Sequence, residues 1–412
     1  MTNATATRAN VEALREKIAA AISAEQESIR EVGETIRLNP EFQFEEYMAS
    51  NLLADQLREA GFTVEQPYGG LDTAFRATRA GGGGEGPNIA ILAEYDALRG
   101  IGHGCGHNLI GISTLATAIG FAAVADELAG SMTVIGCPAE EGGAGKALLG
   151  IAGAFDDVDA SLMVHYANGA GAPLHYPDGA TLATQAVIIE FHGAPAHAAA
   201  DPYNGVNALN AVIEVFNGIN ALRQHVRMDA RMHGIITNGG EASNVVPKYA
   251  RCQFGIRAAD SAYLTELVGK VRRIAEGAAL ITGCRLEFTE RENGSVDTRP
   301  SYTIGAVYEE HMQRAGLDLQ RPERGRIMAS TDFGSVSHRV PSVCGSFVIA
   351  HEDIPGHSQE VVDASGSDFG YDQTLKISTA MAWTAVDLLL QPELLAEAKD
   401  EHAQFAARHL GG

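Results

Sequence analysis

Cysteine, tryptophan and positive charge are all scarce in this chain. Five cysteines (Cys105, Cys137, Cys252, Cys284 and Cys344) are scattered over 412 residues. An odd and sparse set argues against a disulfide framework and for a reducing compartment. Basic residues number 30 against 52 acidic ones, a formal net charge of -22. Such a surface repels phosphate backbones and anionic lipid headgroups, so neither nucleic acid nor membrane is expected as a partner. No stretch approaches the roughly 20 apolar residues that span a bilayer. The opening segment MTNATATRANVEALREKIAAAI lacks a basic region followed by an apolar run, so no secretory signal is expected. A cytoplasmic location follows. Internal repeats are missing too, and the only low-complexity tract is the glycine turn GGGGEG.

What is present is a globular balance, 45 % apolar and 20 % charged, in a chain long enough for two domains. Apolar residues at helical spacing predict one helix over 11–38, ended by Asn39-Pro40. A second helix is expected over 47–60, a strand over 74–78, a buried strand in NIAILA (88–93), a helix over 109–128 and a strand over 132–136. Strands alternating with helices indicate an α/β layer with a mostly parallel sheet. From about residue 183 the pattern becomes strand-helix-strand-strand-helix-strand, with strands at 185–191, 233–237, 251–258 and 284–289 and helices at 204–224 and 261–280. The expected layout is therefore a catalytic α/β domain, residues 1–182 and 297–412, interrupted by a smaller α+β domain of ferredoxin-like pattern, residues 183–296. A last helix is expected near 372–391.

The densest chemistry follows NIAILA, in AEYDALRGIGHGCGHN. Asp96 stands just past a strand end, where open α/β sheets place their ligand crevices. Cys105 and His107 are two apart among glycines that let the backbone turn tightly. A thiolate and an imidazole suit a borderline transition metal. Alone, that triplet fits a core cysteine and a structural histidine equally well. The paired Glu140 and Glu141, at the end of the strand MTVIGC and beside two glycines, shift the balance. One carboxylate can bind an ion while its neighbour takes a proton from water. His165 ends the apolar run 160–164, and His357 lies in HEDIPGHSQE with His351 close by. Asp332, after Ser330-Thr331, suits either a helix cap or a place in the site. GGAGKA (142–147) lacks phosphate-loop spacing, since Ala147 stands where a Ser or Thr is needed. The cysteines also lack the paired spacing of a structural zinc site.

These segments, Asp96-Ala97-Leu98 with GHGCGHN and then PAEEGG (138–143), resemble the M20 metallopeptidase family. The branch they are most similar to is its amidohydrolase and carboxypeptidase group, which includes p-aminobenzoyl-glutamate hydrolases and N-acyl amino acid amidohydrolases. The likeness runs on through GAPAHAAADPYNGVNALNA (193–211), GGEASNVVP (239–247), GIRAAD (255–260), STDFGSVS (330–337) and PGHS (355–358). The resemblance implies two divalent ions, zinc or manganese with cobalt also permitted. Cys105 would bridge them, His107 and His165 would complete one shell, and Glu141 and His357 the other. It implies Glu140 as general base and Asp96 as the residue that orients a ligand. His197 would reach into a partner subunit's site to bind the developing oxyanion, Asn244 would lie near substrate, and Arg257 would grip a substrate carboxylate. A homodimer through the inserted domain follows. Many relatives have Asp after the histidine of this motif, where this chain has Asn108, which favours the aminobenzoyl-glutamate branch.

The expected reaction is hydrolysis of an amide bond in a small N-acyl or aminoacyl conjugate by a metal-activated water. The rivals are a dipeptidase or carboxypeptidase, a hydrolytic deaminase of an aromatic amine, and a non-catalytic binding protein on the same fold. The last should have lost the base or a ligand, and here all of them are present.

Overall fold

The computed structural model describes residues 8–167, 172–173, 181–291, 294–320 and 329–410. Among these the strands are β1 (Thr63–Glu65), β2 (Phe75–Ala80), β3 (Asn88–Ala93), β4 (Ser131–Gly136), β5 (Ala160–Ala167), β6 (Ala172–Pro173), β7 (Ala183–His192), β8 (Arg231–Asn238), β9 (Tyr249–Ala258), β10 (Arg285–Glu290), β11 (Leu319–Gln320) and β12 (Ser342–Val348). The chain divides into two compact units. The first is Met1–Ala180, Thr298–Ile327 and Thr331–Gly412; the second is Thr181–Asp297 with Met328–Ser330. No helix of the described residues is long and apolar enough to cross a membrane.

The first unit is built on a six-stranded sheet of order β1-β2-β4-β3-β5-β12. β4, β3, β5 and β12 run parallel, while β2 joins β4, and β1 joins β2, antiparallel. NIAILA reads as a continuous apolar run because β3 is buried on both faces, the condition of a central parallel strand. The helix His107–Ala122 is buried nearly all round. It packs with the helix Asp368–Leu390 and on β3 and β5. Parallel strands end at one edge of the sheet. The segments after β3 and β4 and the end of β5 therefore converge, and they carry Asp96, Glu140 and His165.

The second unit is a four-stranded antiparallel sheet of order β10-β7-β9-β8. β9 alternates strictly between half-buried and buried residues, and its buried face carries Cys252, Phe254 and Ile256 against the helices Ala208–Leu222 and Ser261–Thr282. Asp260 caps the second of these helices by accepting from the Tyr263 N–H at 2.8 Å.

Three expectations need correction. The segment 11–38 is two helices, Arg8–Ala24 and Gln26–Leu38, broken at Glu25. The expected 109–128 helix ends at Ala122 and continues only as a 3-10 turn at Ala125–Glu127. A further helix, Pro392–Leu410, follows the one expected to be last.

Candidate metal centre

Asp96 organises the centre. Its carboxylate accepts from His107 Nδ1 at 2.9 Å and from the main-chain N–H of Glu141 at 3.0 Å. One buried side chain thus ties the Gly-Cys-Gly-His turn to the glutamate loop. Burial would push the Asp96 carboxyl up, yet His107 and the Glu141 N–H hold it below the usual carboxylate range. With Nδ1 engaged, His107 presents Nε2 inward, and that buried nitrogen has no hydrogen-bond partner among the described residues. The arrangement is the carboxylate–histidine pairing that orients metal-ligating imidazoles.

Two groups of donors meet at Cys105. In each group the ligand atoms lie within 4.8 Å of one another: Cys105, His107 and His165 in one, Cys105, Glu141 and His357 in the other. The sulfur sits 3.6 Å from His165 Nε2. His165 Nδ1 lies 2.9 Å from the Tyr166 carbonyl, which leaves Nε2 for the cluster, and burial pushes this imidazole down toward its neutral, ligating form. His357 Nε2 lies 3.7 Å from Glu141 Oε2, and the buried Glu141 Oε1 is also without a partner among the described residues. Burial pushes the Cys105 thiol up, against the pull of His107, so a thiolate here needs a cation beside it. This mixed N, O and S donor set, with His107 Nε2 and Glu141 Oε1 buried and unpartnered among the described residues, fits a pair of divalent ions. His351 belongs to neither group; its ring packs on Phe369 at 3.9 Å.

Left-handed backbone at non-glycine residues marks the same place. Ala139 (φ 59°) and Ala144 (φ 54°) bracket the paired glutamates, and His357 has φ 55°. Such conformations cost roughly 1–2 kcal/mol each and persist where surrounding structure enforces them. Two anchors are visible. The buried Glu46 accepts from the Ala139 N–H at 2.9 Å and from the Thr73 hydroxyl at 2.8 Å. The His357 N–H donates to the Gly104 carbonyl at 3.1 Å.

Glu140 shares one donor group with His107 and Glu141, their ligand atoms within 4.8 Å of one another, and belongs to a second group that Glu141 does not enter. The Glu140 carboxylate lies within 4.8 Å of those of Glu94 and Asp332. At an effective dielectric of about 20, unit charges at that separation repel by roughly 3–4 kcal/mol per pair. Burial, then Glu94 and Asp332, push the Glu140 carboxyl well above the usual carboxylate range, as suits a group that must accept a proton. Between Glu94 and Asp332 lies the fully buried ammonium of Lys146. Asp332 does not cap the helix that follows it in sequence: its carboxylate takes Lys146, through Nζ at 2.5 Å and, in the first turn of the helix Gly145–Ile151, the main-chain N–H at 2.9 Å. Asn108 is buried and donates to the Ser365 carbonyl at 3.1 Å. Sequence reasoning passed over Glu46, Glu94 and Lys146. The two-residue spacing of Glu94 and Asp96 past a strand end was the one available signal.

The remaining expected residues lie in the second unit. His197 is exposed, and its Nδ1 accepts the N–H groups of Ala199 and Ala200, so the proton sits on Nε2 as a free donor. The Ala198 N–H donates to the Asn244 carbonyl at 2.9 Å, which holds the His197 and Asn244 loops together. Arg257 is half-buried on β9, opposite Thr184 of β7 and Arg231 of β8.

The family model described as peptidase family M20/M25/M40 matches residues 90–370. The Xaa-Arg dipeptidase of Mus musculus is 34 % identical over 410 residues, covering 96 % of this chain and 94 % of the relative. A p-aminobenzoyl-glutamate hydrolase chain of Escherichia coli (strain K12) is 32 % identical over 458 residues, covering 93 % and 94 %. Among solved structures, a dinuclear metal-binding M20 family peptidase of Bacillus subtilis superposes with a TM-score of 0.66 at 20 % identity, covering 88 % of this chain and 99 % of its own.

Proposed function

The chain belongs to peptidase family M20/M25/M40, and from that premise we propose that it cleaves the amide bond of a small N-acyl amino acid or aminobenzoyl-glutamate-like conjugate. It is a metal-dependent hydrolase that uses divalent ions. The observation that carries the reading is the sharing of the Cys105 sulfur by two donor groups, with Glu140 set beside them among carboxylates.

In the proposed arrangement Cys105, His107 and His165 would hold one ion, and Cys105, Glu141 and His357 would hold the other. The pair, when bound, acidifies water toward neutral pH and polarises the substrate carbonyl. Glu140 accepts the proton of the attacking water and returns it to the leaving nitrogen. Asp96 keeps His107 oriented. His197, whose Nε2 carries a free N–H, binds the developing oxyanion, a contribution of about 3 kcal/mol for such a donor. Asn244 lies near the substrate, and Arg257 pairs with its carboxylate. Zinc or manganese is the proposed metal, since the mixed donor set admits both. The reading includes a homodimer through the second unit, residues 183–296 as the inserted domain, and a cytoplasmic location in keeping with five unpaired cysteines.

A dipeptidase is the second reading, favoured by the name of the mouse relative. Metal-defined enzyme assayed against N-acyl amino acids, aminobenzoyl-glutamate and Xaa-Arg dipeptides separates the two. Turnover confined to dipeptides would overturn the first reading, and no amide hydrolysis with both ions bound would overturn both.

A further inference from the structure

Lys146 is the lysine of the GGAGKA stretch that fails as a phosphate loop, and it lies in the centre of the first unit. Its side chain is fully buried, which is rare for lysine unless paired. The ammonium donates to Glu94 Oε1 and, at 2.5 Å, to Asp332 Oδ1. Its own main-chain N–H donates to Asp332 Oδ2 at 2.9 Å. Asp332 therefore clamps both the backbone and the charge at the start of the short helix Gly145–Ile151, which follows the loop that carries Glu140. The ligand atoms of Glu94, Glu140 and Asp332 lie within 4.8 Å of one another, so this is a three-carboxylate cluster whose cation is supplied by the protein. Glu94 has a second contact: its Oε2 lies 3.5 Å from His107 Nε2. Replacing a buried ion pair with apolar groups is often neutral or stabilising, so stability alone does not account for Lys146.

We propose that Lys146 is a positioning residue for the hydrolytic reaction: its ammonium stands in the three-carboxylate cluster where a cation is required, and so fixes the Glu140 carboxylate beside the donors of the metal pair. With that charge in place, Glu94 is engaged through Oε1 and Glu140 can approach without being repelled. Without it, Glu94 and Asp332 drive Glu140 away, or the released Glu94 turns toward His107 Nε2. The inference rests on the proposed role of Glu140 as proton acceptor.

The test compares wild type, Lys146→Gln, the double variant Lys146→Met/Asp332→Asn and Glu140→Gln. The double variant removes one charge of each sign and leaves the cluster's net charge unchanged, so it repairs a merely structural pair. Each protein is loaded with zinc and read for melting temperature, bound metal, kcat and KM on the best of the screened amides. The expected result is that Lys146→Gln and the double variant fold and keep wild-type metal content. Their KM stays within about threefold while kcat falls by roughly 10²-fold or more. Recovery of kcat with melting temperature in the double variant would overturn the proposal. So would loss of metal in step with kcat, or failure of both variants to fold, which would make Lys146 a packing element. Wild-type kcat in Glu140→Gln would instead remove the base assignment on which the inference stands, a separate failure.

Discussion

Glu140 and Glu141 are neighbours in sequence that both lie close to His107 but differ in their other neighbours, and single substitutions separate their proposed tasks. Glu141 is bonded through its N–H to Asp96 and faces Cys105 and His357, whereas Glu140 faces Glu94 and Asp332. Glu140→Ala is expected to keep metal and fold while kcat falls roughly 10²–10⁴-fold, the usual contribution of a general base. Metal analysis beside steady-state kinetics checks it, and a wild-type rate would remove the assignment. His103 carries a different prediction. Burial pushes its imidazole from 6.5 down to about 3, so the folded state keeps it neutral where the unfolded chain takes up a proton. Its folded pKa is depressed, so its contribution is intact above pH 6.5 and is lost as pH falls toward 3. Between pH 7 and pH 5 that loss is about 2 kcal/mol. Denaturant titrations of metal-free wild type and His103→Leu at the two pH values should differ by this amount, with the variant the less sensitive to acid. Equal pH dependence would show that His103 does not carry the effect.

The element that sets the glutamates is the turn between β4 and the short helix Gly145–Ile151. Gly145 approaches so closely that a Cβ there would sit 1.9 Å from the Pro138 carbonyl oxygen. Neither partner is a flexible side chain, so the turn must move as a whole. Gly145→Ala is expected to cost roughly 1–3 kcal/mol of stability and to lose bound metal and turnover far beyond what that figure implies. Unchanged metal content would show that the turn does not position the ligands. Much of this framework is legible in sequence. NIAILA is a strand at its expected bounds, because a short apolar run closed by Pro87 on one side and polar residues on the other has few alternatives. The break at Glu25 is not legible, since the residues around it are good helix formers and apolar spacing continues across it. Lys146 is hidden for another reason. A lysine reads as surface from composition alone, and its partners Glu94 and Asp332 stand 52 and 186 residues away. The choice between cap and site residue at Asp332 stays open in sequence for the same reason, because its partner Lys146 is remote.

At the scale of the whole molecule, the residues given proposed roles fall in both units. Cys105, His107, Glu140, Glu141, His165 and His357 belong to the first unit, and His197, Asn244 and Arg257 to the second. The second unit also exposes several large apolar side chains. β8 is an edge strand of its sheet, with Ile235 and Ile236 exposed. Tyr203, Met228, Leu280 and Ile281 of the same unit are exposed as well. An unpaired edge with apolar residues invites strand addition, and a two-fold pairing of identical edges closes the assembly at two copies. If a second copy supplies His197, then His197→Ala and Glu140→Ala are each impaired alone for different reasons. His197→Ala should lower kcat by roughly 10²-fold with little change in bound metal. Co-expressed with distinct tags, the two variants form mixed dimers in which one site has lost both groups and the other has Glu140 from one chain and His197 from its partner. Random pairing then restores roughly a quarter of the wild-type rate. Purified mixed dimers that regain no activity would mean that His197 serves its own chain or does not serve the reaction, and the edge strand would lose its link to catalysis.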